Sequence, residues 1–190
     1  MEETLRQQNS ELIKVAIVGP ESTGKTTLAK ALAAHYETVY VAEYMRHYYA
    51  QVVVRDPFRS DLSDILPIAS GQIRAENEAL AVANKLLFCD TNLLEIACYS
   101  DYYFGEIPSE LEQSLPHMQY DLYLLTYIDV PWENDPLRDR PYDRQKLFSI
   151  FEERLKQQDA PHLLLKGDEQ TRLETAILEI EKYRERRHGF

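Results

Sequence analysis

The feature that narrows this chain most is the string Gly19-Pro20-Glu21-Ser22-Thr23-Gly24-Lys25-Thr26, which satisfies G-x-x-x-x-G-K-[ST] and follows the apolar run Leu12 to Val18. A strand that ends in such a string and feeds a helical stretch, here Thr27 to His35, must curl its backbone tightly. The curl turns successive N–H groups inward, the arrangement by which a P-loop holds phosphate oxygens. The spacing predicts that Gly19, Glu21, Ser22, Thr23, Gly24 and Thr27 form the nucleotide cradle. It also predicts that Lys25 reaches the β- and γ-phosphates of ATP and that the Thr26 hydroxyl ligates Mg²⁺.

Further apolar or β-branched runs occur at Thr38 to Ala42, Leu86 to Cys89, Leu122 to Ile128 and His162 to Leu165. Helical patterns separate them, at Thr27 to His35, about Ser63 to Lys85, Leu93 to Phe104, Asp143 to Gln158 and Thr171 to Arg187. Such alternation reads as an α/β fold, a parallel sheet with helices on both faces. For a P-loop NTPase of kinase type the expected order of five strands is 2-3-1-4-5, which makes the first and third strands neighbours. With 190 residues, 44% of them hydrophobic, one domain spanning 1–190 is expected, with 1–11 as a polar N-terminal extension.

Composition excludes several partners. A formal charge of −11 argues against nucleic acid and anionic membranes, which are held mainly by Lys and Arg. The two cysteines, Cys89 and Cys98, have no metal-binding spacing and read as core fillers in a reducing compartment. The N-terminal stretch has no apolar signal core and no run is long enough to span a bilayer, so a cytoplasmic protein is expected. No sequence feature encodes an oligomeric state.

In open parallel sheets ligands sit beyond the carboxyl ends of the strands, so the residues just after each run matter most. Asp90 closes Leu86-Leu87-Phe88-Cys89, the pattern of a Walker B carboxylate at the metal. Glu43 closes the second strand, with Arg46 three residues on. Either Glu43 or Asp90 suits the role of accepting a substrate hydroxyl proton, and an ion pair of Glu43 with Arg46 is the plain alternative. The charged, Pro-containing segment Val130 to Pro141 reads as a lid, with Arg138 and Arg140 as catalytic cations and Arg144 nearby. Its interleaved acids, Asp135, Asp139 and Asp143, also suit an ordinary surface cluster. Gln72 falls on or beside an apolar helix face, fitting either a substrate contact or a structural hydrogen bond. Tyr44, Tyr48, Tyr49, Tyr102, Tyr103 and Trp132 follow strand ends and collectively favour a flat heterocyclic substrate. Arg172, past the fifth strand, is expected to cover the adenine ring.

Taken together, G-P-E-S-T-G-K-T-T-L, A-E-Y-x-R at Ala42 to Arg46, I-A-S-G-Q at Ile68 to Gln72, L-L-F-C-D-T, Y-Y-F-G at Tyr102 to Gly105, Y-D-L-Y-L-L at Tyr120 to Leu125 and D-V-P-W-E-N-D-P-L-R at Asp129 to Arg138 resemble the ribosylnicotinamide kinase domain of the NadR family. The resemblance implies ATP- and Mg²⁺-dependent phosphorylation of nicotinamide riboside at its 5′-hydroxyl, giving nicotinamide mononucleotide. It carries the P-loop roles onto Gly24, Lys25, Thr26 and Thr27, a metal-site role onto Asp90, a substrate-side carboxylate onto Glu43 and the lid onto Arg138 and its neighbours. Full NadR proteins place a nucleotidyltransferase domain before the kinase. Here the P-loop begins at Gly19 and no H-x-G-H string occurs, so adenylyltransferase and repressor activities are not expected. Two other readings stay compatible with the residues: a kinase for another nucleoside or nucleotide, and a nucleotide-sensing ATPase acting through a protein partner. A GTP switch is disfavoured, because N-K-x-D and D-x-x-G are both missing.

Overall fold

The computed structural model describes residues 5–52 and 61–188. Five parallel strands, β1 (Ile13–Val18), β2 (Tyr40–Val41), β3 (Leu86–Asp90), β4 (Leu122–Thr126) and β5 (His162–Leu165), form one sheet of order β2-β3-β1-β4-β5. This is the kinase-type order expected from the sequence. In the register Ile17 lies beside Asp90, so the strand carrying the P-loop and the strand ending in the carboxylate finish together.

Both faces of the sheet are covered, which is why the central strands read as continuous apolar runs. Ile13, Val15 and Ile17 point to one side, where they pack with α1 (Lys25–His35) and with Ala176 and Ile180 of α7 (Glu169–His188). Ala16 and Val18 point to the other, into a cluster with Leu94 and Cys98 of α4 (Leu93–Phe104) and Leu147 and Phe151 of α6 (Arg144–Gln157). A third cluster joins α3 (Ile65–Ala79), α4 and α5 (Ser109–Ser114). Both cysteines are buried and free, as core fillers. Among the described residues no helix is long and apolar enough to cross a membrane.

The five strands and five long helices lie where the sequence placed them, with differences at their ends, and α5 is a short helix the sequence reading did not include. β2 is cut to two residues at the sheet edge, and Glu43 after it becomes the N-cap of a four-residue helix, α2 (Tyr44–His47). The stretch expected as a polar extension is pinned from Leu5 onward. Leu5 is buried, the Gln8 amide donates to Asn77 at 2.8 Å, and Gln7 donates to Glu76 at 2.9 Å.

Candidate active site

Immediately after β1 the backbone makes the turn that the glycines permit. Gly19 has φ 143° and lies so close to β4 that a Cβ there would sit 2.4 Å from Thr126 Oγ1. Gly24 has φ 82° and caps α1, whose first turn has neither a side-chain cap nor an acidic residue. The orphan N–H groups of that turn are therefore left for an anion. The loop is braced from behind: Thr23 Oγ1 donates to the Pro20 carbonyl at 2.7 Å and lies 2.7 Å from Thr126 Oγ1.

The functional side chains meet here. The Thr26 hydroxyl donates to Asp90 Oδ2 at 2.5 Å. Lys25 Nζ donates to the carbonyls of Gly19 at 2.7 Å and Pro20 at 3.1 Å, and stands 3.2 Å from Glu95 Oε1. Glu95 also accepts the Gly19 N–H at 3.1 Å. Burial raises the Glu95 carboxyl to about 8, with the Lys25 charge opposing the shift. Burial likewise raises Glu43 and Asp90, again against Lys25. Burial alone would pull the Lys25 ammonium down. The surrounding Glu95, Glu43 and Asp90 outweigh it and hold Lys25 above its ordinary value.

Sequence reasoning missed Glu95. Its signal was its place: it falls in the first turn of α4, directly beyond the third strand, where Asn92 caps the helix by accepting the Glu95 N–H at 3.1 Å. An acid there is favoured by the helix dipole and faces the P-loop.

These groups line one cavity of about 640 Å³, within the range of small-molecule sites, about 300–1,000 Å³. Glu21, Ser22, Thr23, Gly24, Thr26 and Thr27 form its floor, Glu43 and Arg46 one side, and Arg138 and Arg140 the lid. Arg46 joins two of these walls, donating to Glu43 at 3.2 Å and to Asp135 at 3.1 Å. The ion pair weighed as the plain alternative for Glu43 is therefore present, within the cavity. Arg138 donates to the Glu133 carbonyl at 2.9 Å, and the Arg140 guanidinium lies 4.9 Å from the Tyr103 ring centre.

Arg172 and Arg144 are engaged by protein groups, and of the aromatics singled out in the sequence Tyr44, Tyr48, Tyr102 and Trp132 do not line the cavity. Arg172 is buried, and its guanidinium is directed at the carbonyls of Gly167, Thr23 and Tyr127 and at Asp129. That geometry makes it a brace between the P-loop and the loop after β5, while it also lines the cavity, as a residue expected to cover the adenine ring must. Arg144 likewise donates to the carbonyls of Ser22, Ile128 and Val130, under the lid. The Trp132 indole donates to Asn134 and does not line the cavity. The aromatic faces inside it come from Tyr49, Tyr99, Tyr103 and Phe104. Tyr99 and Tyr103 stand 6.0 Å apart and nearly parallel, and the Tyr99 hydroxyl has no hydrogen-bond partner among the described residues.

A divalent ion fits this donor set in one way. Among the described residues no cluster of three or more metal-ligating side chains occurs, whereas the Thr26 hydroxyl and the Asp90 carboxylate converge beside the open N-terminus of α1. Such a site suits Mg²⁺, which takes one or two protein groups and completes its shell with phosphates and water.

Comparison with known proteins agrees with this geometry. The family described as AAA domain matches residues 14–172. The trifunctional NAD biosynthesis/regulator protein NadR of Salmonella typhimurium strain LT2 is 31% identical over 145 residues, covering 75% of this chain and 35% of its own length. The protein of the same name from Escherichia coli strain K12 is 30% identical over 145 residues, again 75% of this chain and 35% of its own. The chain thus spans about a third of the curated relatives it matches. Among solved structures, a NadR protein in complex with NR superposes with TM-score 0.72 at 23% identity, over 91% of this chain and 52% of that one. Deoxyadenosine kinase from M. mycoides with bound dATP gives TM-score 0.63 at 16% identity, over 89% of this chain and 100% of that one. The resemblance carried by the motifs is thus borne out, and the fold is that of P-loop nucleoside kinases.

Proposed function

The chain belongs to the AAA domain family, and within it we propose that this protein is a phosphotransferase that moves the γ-phosphoryl group of ATP, with Mg²⁺, to the 5′-hydroxyl of nicotinamide riboside. The observation that carries the reading is the meeting of Lys25, Thr26, Asp90 and Glu43 in the lining of a single cavity, close enough that the Lys25 charge acts on both carboxylates. A phosphate-holding floor and a second carboxylate in a cavity of about 640 Å³ suit two small molecules, a donor and an acceptor. The acceptor's identity rests on the similarity to NadR proteins, one of which binds NR. The paired faces of Tyr99 and Tyr103 supply apolar surface for its heterocycle.

In this reading Lys25 leaves the Gly19 and Pro20 carbonyls and turns to the β- and γ-phosphates, while the uncapped N–H groups of α1 hold the same anions. Thr26 and Asp90 would hold Mg²⁺, which when bound would offset the negative charge of the phosphates. With Asp90 assigned to the metal beside Thr26, Glu43, which also pairs with Arg46, is the carboxylate assigned to accept the proton of the attacking hydroxyl. Its raised pKa, caused by burial, makes it a better base than an exposed carboxylate. Arg138 and Arg140 supply positive charge from the lid as negative charge spreads over the migrating group.

ADP release measured with Mg·ATP and a panel of nucleosides, with Lys25→Ala as the blank, tests this. Turnover dependent on nicotinamide riboside is the expected result. Turnover with a different acceptor would keep the mechanism and replace the substrate. Hydrolysis indifferent to every nucleoside, yet lost in the Lys25 variant, would overturn the kinase reading in favour of a nucleotide-driven partner protein.

A further inference from the structure

Glu43 owes its place to very little local structure. It sits at the N-cap of a four-residue helix that follows a two-residue edge strand. So short a helix is not stable alone, so something else must hold the carboxylate over the cavity. That hold is on α3, at Gly71 and Gln72. Gln72 is 1% exposed, and its side-chain oxygen accepts the Tyr44 N–H at 3.0 Å. Tyr44 is the first residue of α2, so this N–H has no partner within its own helix. Gly71 receives the Tyr44 ring so closely that a Cβ at 71 would lie 1.9 Å from it.

The anchor is itself anchored. Gln72 Nε2 donates to Glu76 at 3.4 Å, and Glu76 is also held by the Tyr120 hydroxyl at 2.8 Å and by Gln7 at 2.9 Å. Gln7 in turn accepts from Lys14 Nζ at 3.2 Å and from the Gln119 N–H at 2.8 Å. A polar chain, buried at Gln72, Glu76 and Tyr120 and partly exposed at Gln7, therefore runs from β1 and the N-terminal segment, through α3, to the peptide group that follows Glu43. An uncompensated buried polar network of this kind is costly. Here every link is made, and its far end is the acceptor side of the cavity. Gln72 does not line that cavity.

We propose that Gln72 is a positioning residue for phosphoryl transfer: by accepting the Tyr44 N–H, with Gly71 seating the Tyr44 ring, it fixes Glu43 against the acceptor hydroxyl. This rests on the kinase reading above. It also settles the alternatives left open for Gln72 by the sequence, in favour of a structural bond with a catalytic consequence.

Two substitutions cut the same bond from opposite ends. Gln72→Met keeps the volume and removes the acceptor. Tyr44→Pro removes the donor at a position where proline is tolerated. Glu43, at φ −56° and ψ 112°, already has the conformation that a following proline demands. Tyr44→Ala controls for loss of the ring. The expected result for Gln72→Met is a fall in acceptor-dependent kcat of roughly 10- to 100-fold, the size of loss that a misplacement of about 1 Å causes. The affinity for a fluorescent ATP analogue should stay within about twofold, since no nucleotide contact changes. Tyr44→Pro should fall below Tyr44→Ala by a similar factor, and adding Gln72→Met to Tyr44→Pro should cost nothing more.

A readout independent of turnover separates this inference from the kinase reading. Followed by carbon-detected NMR, the Glu43 carboxyl should titrate above the ordinary range in the parent protein and move back toward it in Gln72→Met, as the carboxylate swings into solvent. If that shift occurs and no nucleoside is phosphorylated, the positioning stands and the kinase reading fails. An active parent whose Gln72→Met variant keeps both kcat and the Glu43 titration overturns the positioning, as do losses that add in the double variant. Should Gln72→Met fold poorly by thermal melt, Tyr44→Pro read against Tyr44→Ala cuts the same bond without touching Gln72 or its partners and is held to the same outcomes.

Discussion

The two walls of the cavity differ in what holds them. On the phosphate wall the Lys25 and Glu95 side chains that pair are 12% and 1% exposed, Asp90 and Thr26 meet at 2.5 Å, and the loop is tied to β4 through Thr23 and Thr126. On the lid wall the pairs are open to solvent. Arg46 with Asp135 is 39% and 25% exposed, and Arg140 with Asp139 is 40% and 34% exposed. Solvent-exposed pairs contribute about 0–1 kcal/mol each, while a charge stripped of its partner in a buried site costs several. The phosphate wall is therefore set before any ligand arrives, and the lid is held by contacts that a ligand can exchange for its own. The two walls are joined at few points: Ser22 Oγ accepts the Glu133 N–H at 2.7 Å, the Arg140 N–H reaches Glu21 at 3.4 Å, and Arg144 ties Ser22 to Ile128 and Val130.

The largest effect should follow from removing the centre of the set wall. Lys25→Ala is expected to cut turnover by at least about 10² to 10³-fold, the loss typical of deleting one preorganised charge-stabilising group. Arg140→Ala on the lid should cost about tenfold or less, with an unchanged melting temperature. Steady-state kinetics on both variants decide the matter, and equal losses would mean that the lid is as preorganised as the floor.

Next comes stability. Arg172→Ala leaves the carbonyls of Gly167, Thr23 and Tyr127 without their donor in a buried setting, a loss of roughly 3 kcal/mol. For a chain of this size that lowers Tm by about 6–12 °C. Arg138→Ala, whose one bond is exposed, should stay within about 0.5 kcal/mol. Calorimetry on the pair sharpens the contrast, and a stable Arg172→Ala protein would return that residue to a ligand-facing role.

The same contrast governs what could be read in the sequence. The floor was legible because its chemistry is local: eight consecutive residues define the loop, and a strand-end acid at Asp90 defines its partner. Strand order followed from the same logic, since Walker A and Walker B must be neighbours. Glu95 was not legible because its importance comes from burial beside Lys25, a contact across seventy positions that no spacing announces. Arg172, which lines the cavity, was only half legible for the converse reason. A lone arginine past a strand end reads as a ligand group, and only the fold shows that its donors are spent on backbone carbonyls. In the lid, arginines and acids alternate, so composition could name the charges without saying which of them pair.

A smaller effect concerns pH. Glu95 is raised from 4.5 to about 8 by burial. Below the lower value both folded and unfolded chains carry the proton. Between the two values the fold keeps a proton that the unfolded chain gives up, so the stability this group contributes falls as pH rises through that window. Above about 8 the contribution is gone. The difference in Tm between the parent and Glu95→Gln should therefore shrink by about 3 °C or more from pH 5 to pH 8 and then level off, a size set by the usual 2–4 °C per kcal/mol. Thermal melts at matched ionic strength measure it. A difference that grows with pH would mean that Glu95 is held ionised by Lys25 and that the pair outweighs its burial.

The smallest expected effect tests the lid's defining property, that its contacts are exchangeable. Asp135 is held by Arg46, and the Arg46 charge and the Leu137 N–H keep its carboxyl below the ordinary range despite some burial. Asp135→Asn removes the charge and keeps an acceptor for Leu137. Arg46 then retains Glu43 as its ionic partner, so the link between the acceptor side of the cavity and the lid is weakened from an ion pair to a hydrogen bond with a neutral acceptor while the floor is untouched. The expected change is a rise in KM for the acceptor of about twofold with kcat unchanged, in line with the small worth of an exposed pair. In the parent protein, raising ionic strength toward 1 M, where the Debye length falls to about 3 Å, should reproduce the rise, and in Asp135→Asn it should add nothing. A tenfold loss of kcat instead would place the Arg46 bridge among the preorganised parts of the site and move the boundary between the two walls from Glu43 to Asp135.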